Sequence, residues 1–446
     1  MKCLWRFDEK GQVFILLALL ITVLVAFAGL AVDVGMAYVV KTKLNAAVDA
    51  AALAAGRVVG ADDGSATTEA DKFFHANYPD QLLGATVQQL SVDPQYDDKT
   101  KSWMVTVSTK ATVPTYFARA AGWPALTVQA TATSTINPVD LVLVMDSTRS
   151  LSTHTSEKGT SDKLRNAAKN FVGVFNPKND RVGLIRFACG AVQDVKITSA
   201  RGFQRKWLDA GLDLITEANA KGFTTAEEAL RLAKKQLDDV PSDQQSPNRI
   251  IVFFTDGAPN GVAANFVTAT GNQVGTLSSE PTDLTRLFDV DGLQHPLNVR
   301  ATGDIPDYDW TGTISAYSYN NVRHFNSPTG TPIALTRENI NRAARSMLEN
   351  IVNDARSEAG TPITVFTIGL GTLLTTQEGL EDGKNYDYGY GKEELGENIL
   401  KRIANTRDAD TYNLKQPTGV YAWAQNASEL DAAFGQVARA ILRLSR

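Results

Sequence analysis

Five oxygen-bearing side chains in the C-terminal two-thirds of the chain could do chemistry together: Asp146, Thr148, Ser150, Thr224 and Asp256. They come from three segments, Asp146-Ser147-Thr148-Arg149-Ser150, Gly222-Phe223-Thr224-Thr225 and Thr255-Asp256-Gly257. Two carboxylates and three hydroxyls form a donor set for one hard divalent cation, Mg²⁺ or else Mn²⁺ or Ca²⁺. An ion held this way keeps some of its water, and a carboxylate from a protein partner could replace one such water. Taken singly, each residue has a plainer role. An Asp at a strand end often caps the following helix, and Ser-x-Ser is common turn chemistry. The metal reading depends on the three segments meeting.

The elements around them put the segments at one place. Val139–Met145 (VDLVLVM) is a near-continuous apolar run, the pattern of a strand buried on both faces in a parallel sheet. Arg181–Ala188 is a second strand, with Ala191–Ile197 beside it, and Arg249–Thr255 and Ile363–Leu370 are two more. Helical patterns alternate with them at Lys163–Phe175, Arg205–Ile215, Ala226–Leu237, Arg337–Glu358, Leu395–Asn405 and Ser428–Leu444. This alternation predicts an α/β fold with a doubly wound, mostly parallel sheet. Ligands of such sheets bind beyond the C-terminal ends of the strands, where all three segments are expected to fall. The second opens a helix.

An Asp-x-Ser-x-Ser at the first strand's end, a distant Thr, and an Asp-Gly after a later apolar strand resemble the von Willebrand factor A (VWFA) domain and its metal-ion-dependent adhesion site (MIDAS). Here the first element reads Asp146, Thr148, Ser150, and Thr in place of Ser keeps the hydroxyl. The resemblance covers roughly 139–446. It implies a Rossmann-like domain that binds a protein ligand through the metal.

Val13–Val32 (VFILLALLITVLVAFAGLAV) has no charge and no proline. About 20 such residues at ~1.5 Å each span a bilayer core. Lys2, Arg6 and Lys10 precede it, against Asp8 and Glu9, which predicts a cytoplasmic N-terminus with the bulk of the chain periplasmic or extracellular. A cleaved signal peptide is the alternative. The run is long for that, and it continues into a helical stripe at Leu44, Val48, Ala51 and Ala55. The segments GQVFILLALL and GLAVDVGMAYVVKTKLNAAVDAAALAAGR resemble the N-terminus of TadE/TadG-type Flp/Tad pilus-assembly proteins. Pilin-like members carry a Glu five residues after the processing glycine. Counting from Gly11 that position is apolar, so a permanent anchor is expected rather than a shed subunit.

Between anchor and sheet domain, Thr67–Tyr78 reads as a short helix. Alternation at 85–136, with a turn at Asp97-Asp98-Lys99, reads as three or four strands packed on the extended anchor helix. The expected domains are 1–57 (tail, transmembrane helix, Ala-rich extension), 58–136 (a small α+β module) and 137–446 (VWFA-like). Residues 258–335 are expected as a long irregular insertion in the last. Its aromatics, Phe266, Phe288, Tyr308, Trp310, Tyr317, Tyr319 and Phe325, are too many for a solvated linker. They either build a subdomain core or anchor a partner.

Over 446 residues the net charge is −5, with no basic cluster to suggest nucleic acid. Cys3 and Cys189 flank the apolar segment, which argues against an internal disulfide. His75, His154, His295 and His324 lack ligand spacing. There is no His-Glu-x-x-His, no Gly-x-Ser-x-Gly, and Gly391-Lys392 is followed by Glu393 rather than Ser or Thr. Asp289-Val290-Asp291-Gly292 lacks the closing acids of a calcium loop and reads as a turn. The chain therefore reads as a membrane-anchored adhesion or assembly protein of a Tad/Flp-type pilus or secretion system. The alternative is a structural envelope protein with a vestigial metal site. An enzyme is not expected.

Overall fold

The computed structural model describes residues 9–59, 64–153, 159–220, 222–279, 283–317, 332–375 and 395–445. The chain divides into two compact units, Met1–Ile136 and Asn137–Arg446.

In the first unit a 50-residue helix, α1 (Glu9–Val58), joins two kinds of sequence. Its first part exposes apolar side chains from Val13 to Val32 on nearly every face. Its second part turns Val40, Leu44, Ala47, Val48, Ala51 and Ala55 inward, at the three- and four-residue spacing of one helical face. Helix α2 (Ser65–Asn77) adds Ala66, Ala70 and Phe74 to that core. Strands β1 (Thr86–Val87), β2 (Ser91–Asp97), β3 (Ser102–Pro114) and β4 (Ala125–Ile136) form an antiparallel sheet. The inward residues Val105, Val107, Ala111 and Val113 of β3 meet the helices. Small residues permit the close approach: a Cβ on Gly56 would lie 2.9 Å from the Ile136 side chain. Asp97 closes the β2–β3 turn by accepting hydrogen bonds from the Lys99 N–H and the Thr100 hydroxyl.

The second unit is built on a six-stranded sheet. Strand β5 (Val139–Asp146) is buried along its whole length. After it come α3 (Ser150–Thr153), α4 (Thr160–Val172), β6 (Arg181–Phe187), β7 (Ala191–Val195), α5 (Arg205–Asp213), α6 (Ala226–Asp238) and β8 (Asn248–Thr255). An antiparallel four-stranded sheet follows: β9 (Gly261–Thr268), β10 (Gly271–Ser278), β11 (Arg286–Phe288) and β12 (Pro296–Arg300). The chain then returns through α7 (Arg337–Arg356), β13 (Ile363–Leu370), α8 (Gly396–Ile403), β14 (Tyr421–Ala424) and α9 (Leu430–Leu444).

The main sheet runs β14-β13-β8-β5-β6-β7. Every pairing is parallel except β6–β7. Period-two alternation sorts β5 between two cores. Leu141, Leu143 and Met145 pack with Phe171 of α4 and Phe434 of α9, while Val142 and Val144 pack with Ala229 of α6 and Leu348 of α7.

One expectation needs correction. The irregular stretch at 258–335 contains a sheet with its own core, in which Val262, Phe266 and Leu287 meet Ile340 and Met347 of α7. Strands β11 and β12 are only three and five residues long, and the β9–β10 turn is followed by Gly271 at φ +119° rather than carrying an Asn-Gly pair, so both sequence signals are weak. Strand β14 also escapes the periodicity argument, because four residues are too few for it. Of the insertion aromatics, Phe266, Phe288 and Tyr317 are buried and Tyr308 is exposed; Tyr319 and Phe325 lie outside the described residues, as do His154, His324 and Gly391-Lys392-Glu393.

Candidate metal centre

The strand order reverses at β5. The chain goes from β5 to β6 on one side and later returns to β8 on the other. The connections leaving β5 and β8 run to opposite faces, which opens a crevice beyond the C-terminal ends of these two neighbours. Parallel pairing of Met145 with Phe254 sets the ends of the two strands side by side. Asp146 closes β5, and Asp256 follows the last residue of β8.

A chain of short hydrogen bonds joins the two carboxylates. The Thr148 N–H donates to Asp146 Oδ1 at 2.7 Å, and Thr255 Oγ1 donates to Asp146 Oδ2 at 2.6 Å. Thr148 Oγ1 lies 2.8 Å from Ser150 Oγ, which donates to Asp256 Oδ1 at 2.6 Å. Asp146, Thr148 and Asp256 are buried, Ser150 is half-buried, and Arg149 between them is exposed. The structure thus brings four of the five anticipated side chains into one network.

The fifth, Thr224, is held through its backbone by the loop after Asp256. Its N–H donates to Asn260 Oδ1 at 2.7 Å, and its carbonyl accepts from the Asn260 and Gly261 N–H groups, each at 3.1 Å. The approach needs a glycine, since a Cβ on Gly261 would lie 2.5 Å from Thr225 Oγ1. Thr255 and Asn260 are the residues that sequence reasoning missed. Thr255 stands beside Asp256 in the Thr-Asp-Gly triplet, a usable signal. Asn260 shows none, because its role depends on a loop 36 residues away.

The same seam ties the insertion down beside the crevice. Glu227, buried in the first turn of α6, accepts from the Ala263 N–H of β9 at 2.7 Å. Glu228 accepts from Trp310 Nε1 at 3.0 Å and pairs with Arg231, whose guanidinium lies 4.5 Å from the Trp310 ring centre. The turn at Asp289–Asp291 is local, with Asp289 Oδ1 accepting from the Asp291 N–H.

Burial pushes the Asp146 carboxyl above its ordinary range, while the hydroxyls of Thr148 and Thr255 hold it down. Among the described residues no Lys or Arg forms an ion pair with Asp146. A buried carboxylate facing hydroxyls lacks the opposite charge that normally accompanies burial. That chemistry fits a hard divalent cation. No group of three or more His, Cys, Asp or Glu gathers among the described residues, so hydroxyls must complete any such shell.

Residues 141–258 match the family described as "von Willebrand factor type A domain", and residues 11–58 match "Putative Flp pilus-assembly TadE/G-like". The chain carries both segments. No curated protein matches it. Among solved structures, it is similar to the pilus adhesin SpaC from Lactobacillus rhamnosus GG, with 16% identity, 80% of this chain and 35% of that one covered, and a TM-score of 0.40. Proximal thread matrix protein 1 from the mussel byssus, described with a zinc-occupied MIDAS motif, matches with 10% identity, coverage of 68% and 48%, and a TM-score of 0.35. The von Willebrand domain of the type V pili tip protein Mfa5 from Porphyromonas gingivalis gives 13%, 70%, 98% and 0.38. The chain spans about a third of the adhesin's length and about half of the byssus protein's.

Proposed function

We propose that this chain is a membrane-anchored, metal-dependent adhesion or assembly protein of a Tad/Flp-type pilus or secretion system, without catalytic activity. The observation that carries the reading is the hydroxyl-linked pair of buried carboxylates, Asp146 and Asp256, at the crevice between β5 and β8. Asp146, Thr148, Ser150, Thr224 and Asp256 hold one Mg²⁺ ion, or Mn²⁺ or Ca²⁺ in its place. When bound, the ion supplies a Lewis-acidic position for a carboxylate of a protein partner, a pilus or envelope component. The insertion that starts at β9 stands beside Thr224 and selects which partner arrives. Among the described residues no general base, nucleophile or phosphate loop accompanies the site, which supports binding rather than turnover. Val13–Val32 anchors the chain with its N-terminus in the cytoplasm and its bulk outside.

Calorimetric titration of the detergent-solubilised full chain with Mg²⁺ and Mn²⁺ tests the centre. The wild type binds one ion, and Asp146→Ala abolishes the heat while leaving the circular dichroism spectrum intact. Equal binding by the two proteins rejects the residue assignment. No binding by either favours the structural alternative with a vestigial site.

A further inference from the structure

The loop between β3 and β4 carries aromatic side chains that the sheet does not use. Tyr116, Phe117 and Trp123 are 62%, 48% and 66% exposed, and Arg119 between them is exposed as well. Exposed aromatics cost solvation unless something apolar covers them.

The loop is fixed against one particular level of α1. Both carboxylate oxygens of Asp33 are used to hold it: Oδ1 accepts from the Tyr116 N–H at 2.8 Å, and Oδ2 from the Phe117 and Ala118 N–H groups at 3.0 and 2.7 Å. One helical turn earlier the Phe117 ring lies on the helix backbone, where a Cβ on Gly29 would come within 2.5 Å of its Cγ. Thr115 braces the loop's far side, its hydroxyl donating to the Trp123 carbonyl.

Asp33 marks a boundary. The helix preceding it is apolar and bare, with a window of mean hydropathy 3.0 that is only 6% buried. Its 20 apolar residues cover roughly 30 Å, one hydrocarbon thickness, so a bilayer crossed by Val13–Val32 ends at the level of Asp33. The loop would then meet the lipid at the depth where Trp and Tyr concentrate, with their rings amphipathic between acyl chains and headgroups.

We infer that residues 115–124 form an interfacial membrane anchor, in which Phe117 enters the acyl region while Tyr116 and Trp123 sit among the headgroups beside the exit of the span. This rests on the reading of Val13–Val32 as a membrane span. Continuity of the aromatic patch with the bare helix selects lipid as the occupant. Asp33 serves the same end, since its charge is covered by backbone N–H groups at the bilayer edge. With helix and loop both engaged, the first unit has two attachment points and its tilt is restrained.

The test uses the full chain reconstituted in phosphatidylethanolamine–phosphatidylglycerol vesicles containing lipids brominated either near the carbonyl end or near the methyl end of the acyl chain. Tryptophan quenching is compared between wild type and Trp123→Ala, and alkaline carbonate extraction is run in parallel. The anchor predicts that the difference spectrum assigned to Trp123 is quenched by the shallow bromine more than by the deep one. It also predicts that Asp33→Asn, which weakens the hold on the loop, reduces this quenching while the chain stays in the vesicles. If the chain resists extraction but the Trp123 difference is unquenched, the span stands and the anchor is overturned, leaving a protein partner on the patch. Extraction of the wild-type chain overturns both.

Discussion

Strand β5 carries an aspartate at each end of its apolar run, and the two are treated oppositely. At the N-terminal end Asp140 is buried against an equally buried Arg181, with Oδ1 accepting from Arg181 at 2.8 Å and from the Ser246 hydroxyl at 2.7 Å, and Oδ2 from the Ser246 N–H at 2.8 Å. At the C-terminal end Asp146 meets the Thr148 and Thr255 hydroxyls and the Thr148 and Asp256 N–H groups. The first charge is cancelled within the protein and locks β5, β6 and the loop before β8 together. The second is dispersed over neutral donors that can also serve as ligands. Asp33, in the first unit, follows a third pattern, with three backbone N–H groups and no hydroxyl. Burial of a carboxylate therefore does not mark a binding site; the identity of its partners does. The cation-paired and amide-paired aspartates hold elements together, and the one that meets hydroxyls is the candidate for the proposed metal ion.

The comparison can be broken first at its structural end. Asp140→Ala leaves Arg181 buried without its counter-charge and should cost about 3–5 kcal/mol. The readout is the denaturant midpoint of the Asn137–Arg446 unit in the purified full chain. A loss no greater than that of a surface substitution would erase the distinction between the two ends of β5.

Next in size is a pH effect at the same end. Asp180 accepts from the Val139 and Asn176 N–H groups, and burial, reinforced by the nearby charge of Asp140, raises its pKa from 3.8 to about 6. The folded state then holds a proton that the unfolded state has already released. The stabilisation is full below pH ~4 and is lost as pH rises towards and through ~6, an amount of up to ~3 kcal/mol for a shift of this size. Asp180→Asn should remove that share of the slope in stability measured from pH 4 to 7. An unchanged slope would place the titration elsewhere.

The smallest effect sharpens the contrast at the binding end. Thr255→Val deletes the hydroxyl that donates to Asp146 Oδ2 and should cost about 1–3 kcal/mol in metal-free buffer. Saturating Mg²⁺ should shrink that cost, because a cation replaces the missing donor. An equal cost with and without Mg²⁺ would make Thr255 and Asp146 a structural pair like those below.

Much of this was legible in the residues themselves. The run VDLVLVM announces a strand buried on both faces, and the alternation of strands and helices announces a doubly wound sheet, because each pattern follows from local periodicity. The stripe Leu44, Val48, Ala51, Ala55 similarly marks the packed half of α1. The types of the site residues were also readable, since oxygen chemistry belongs to the side chain and travels with it. Tertiary structure alone decided which aspartate meets a cation, which meets amides and which meets hydroxyls. It also decided that Asn260 holds Thr224, that the insertion is a sheet sharing its core with α7, and that the β3–β4 loop lies on Gly29 and Asp33. These contacts join residues that are 36 to more than 80 positions apart, as in Asn260 to Thr224 and Asp33 to Tyr116. No periodicity reports such a pairing, because it is fixed by how the sheets and helices stack rather than by the order of residues within any one of them.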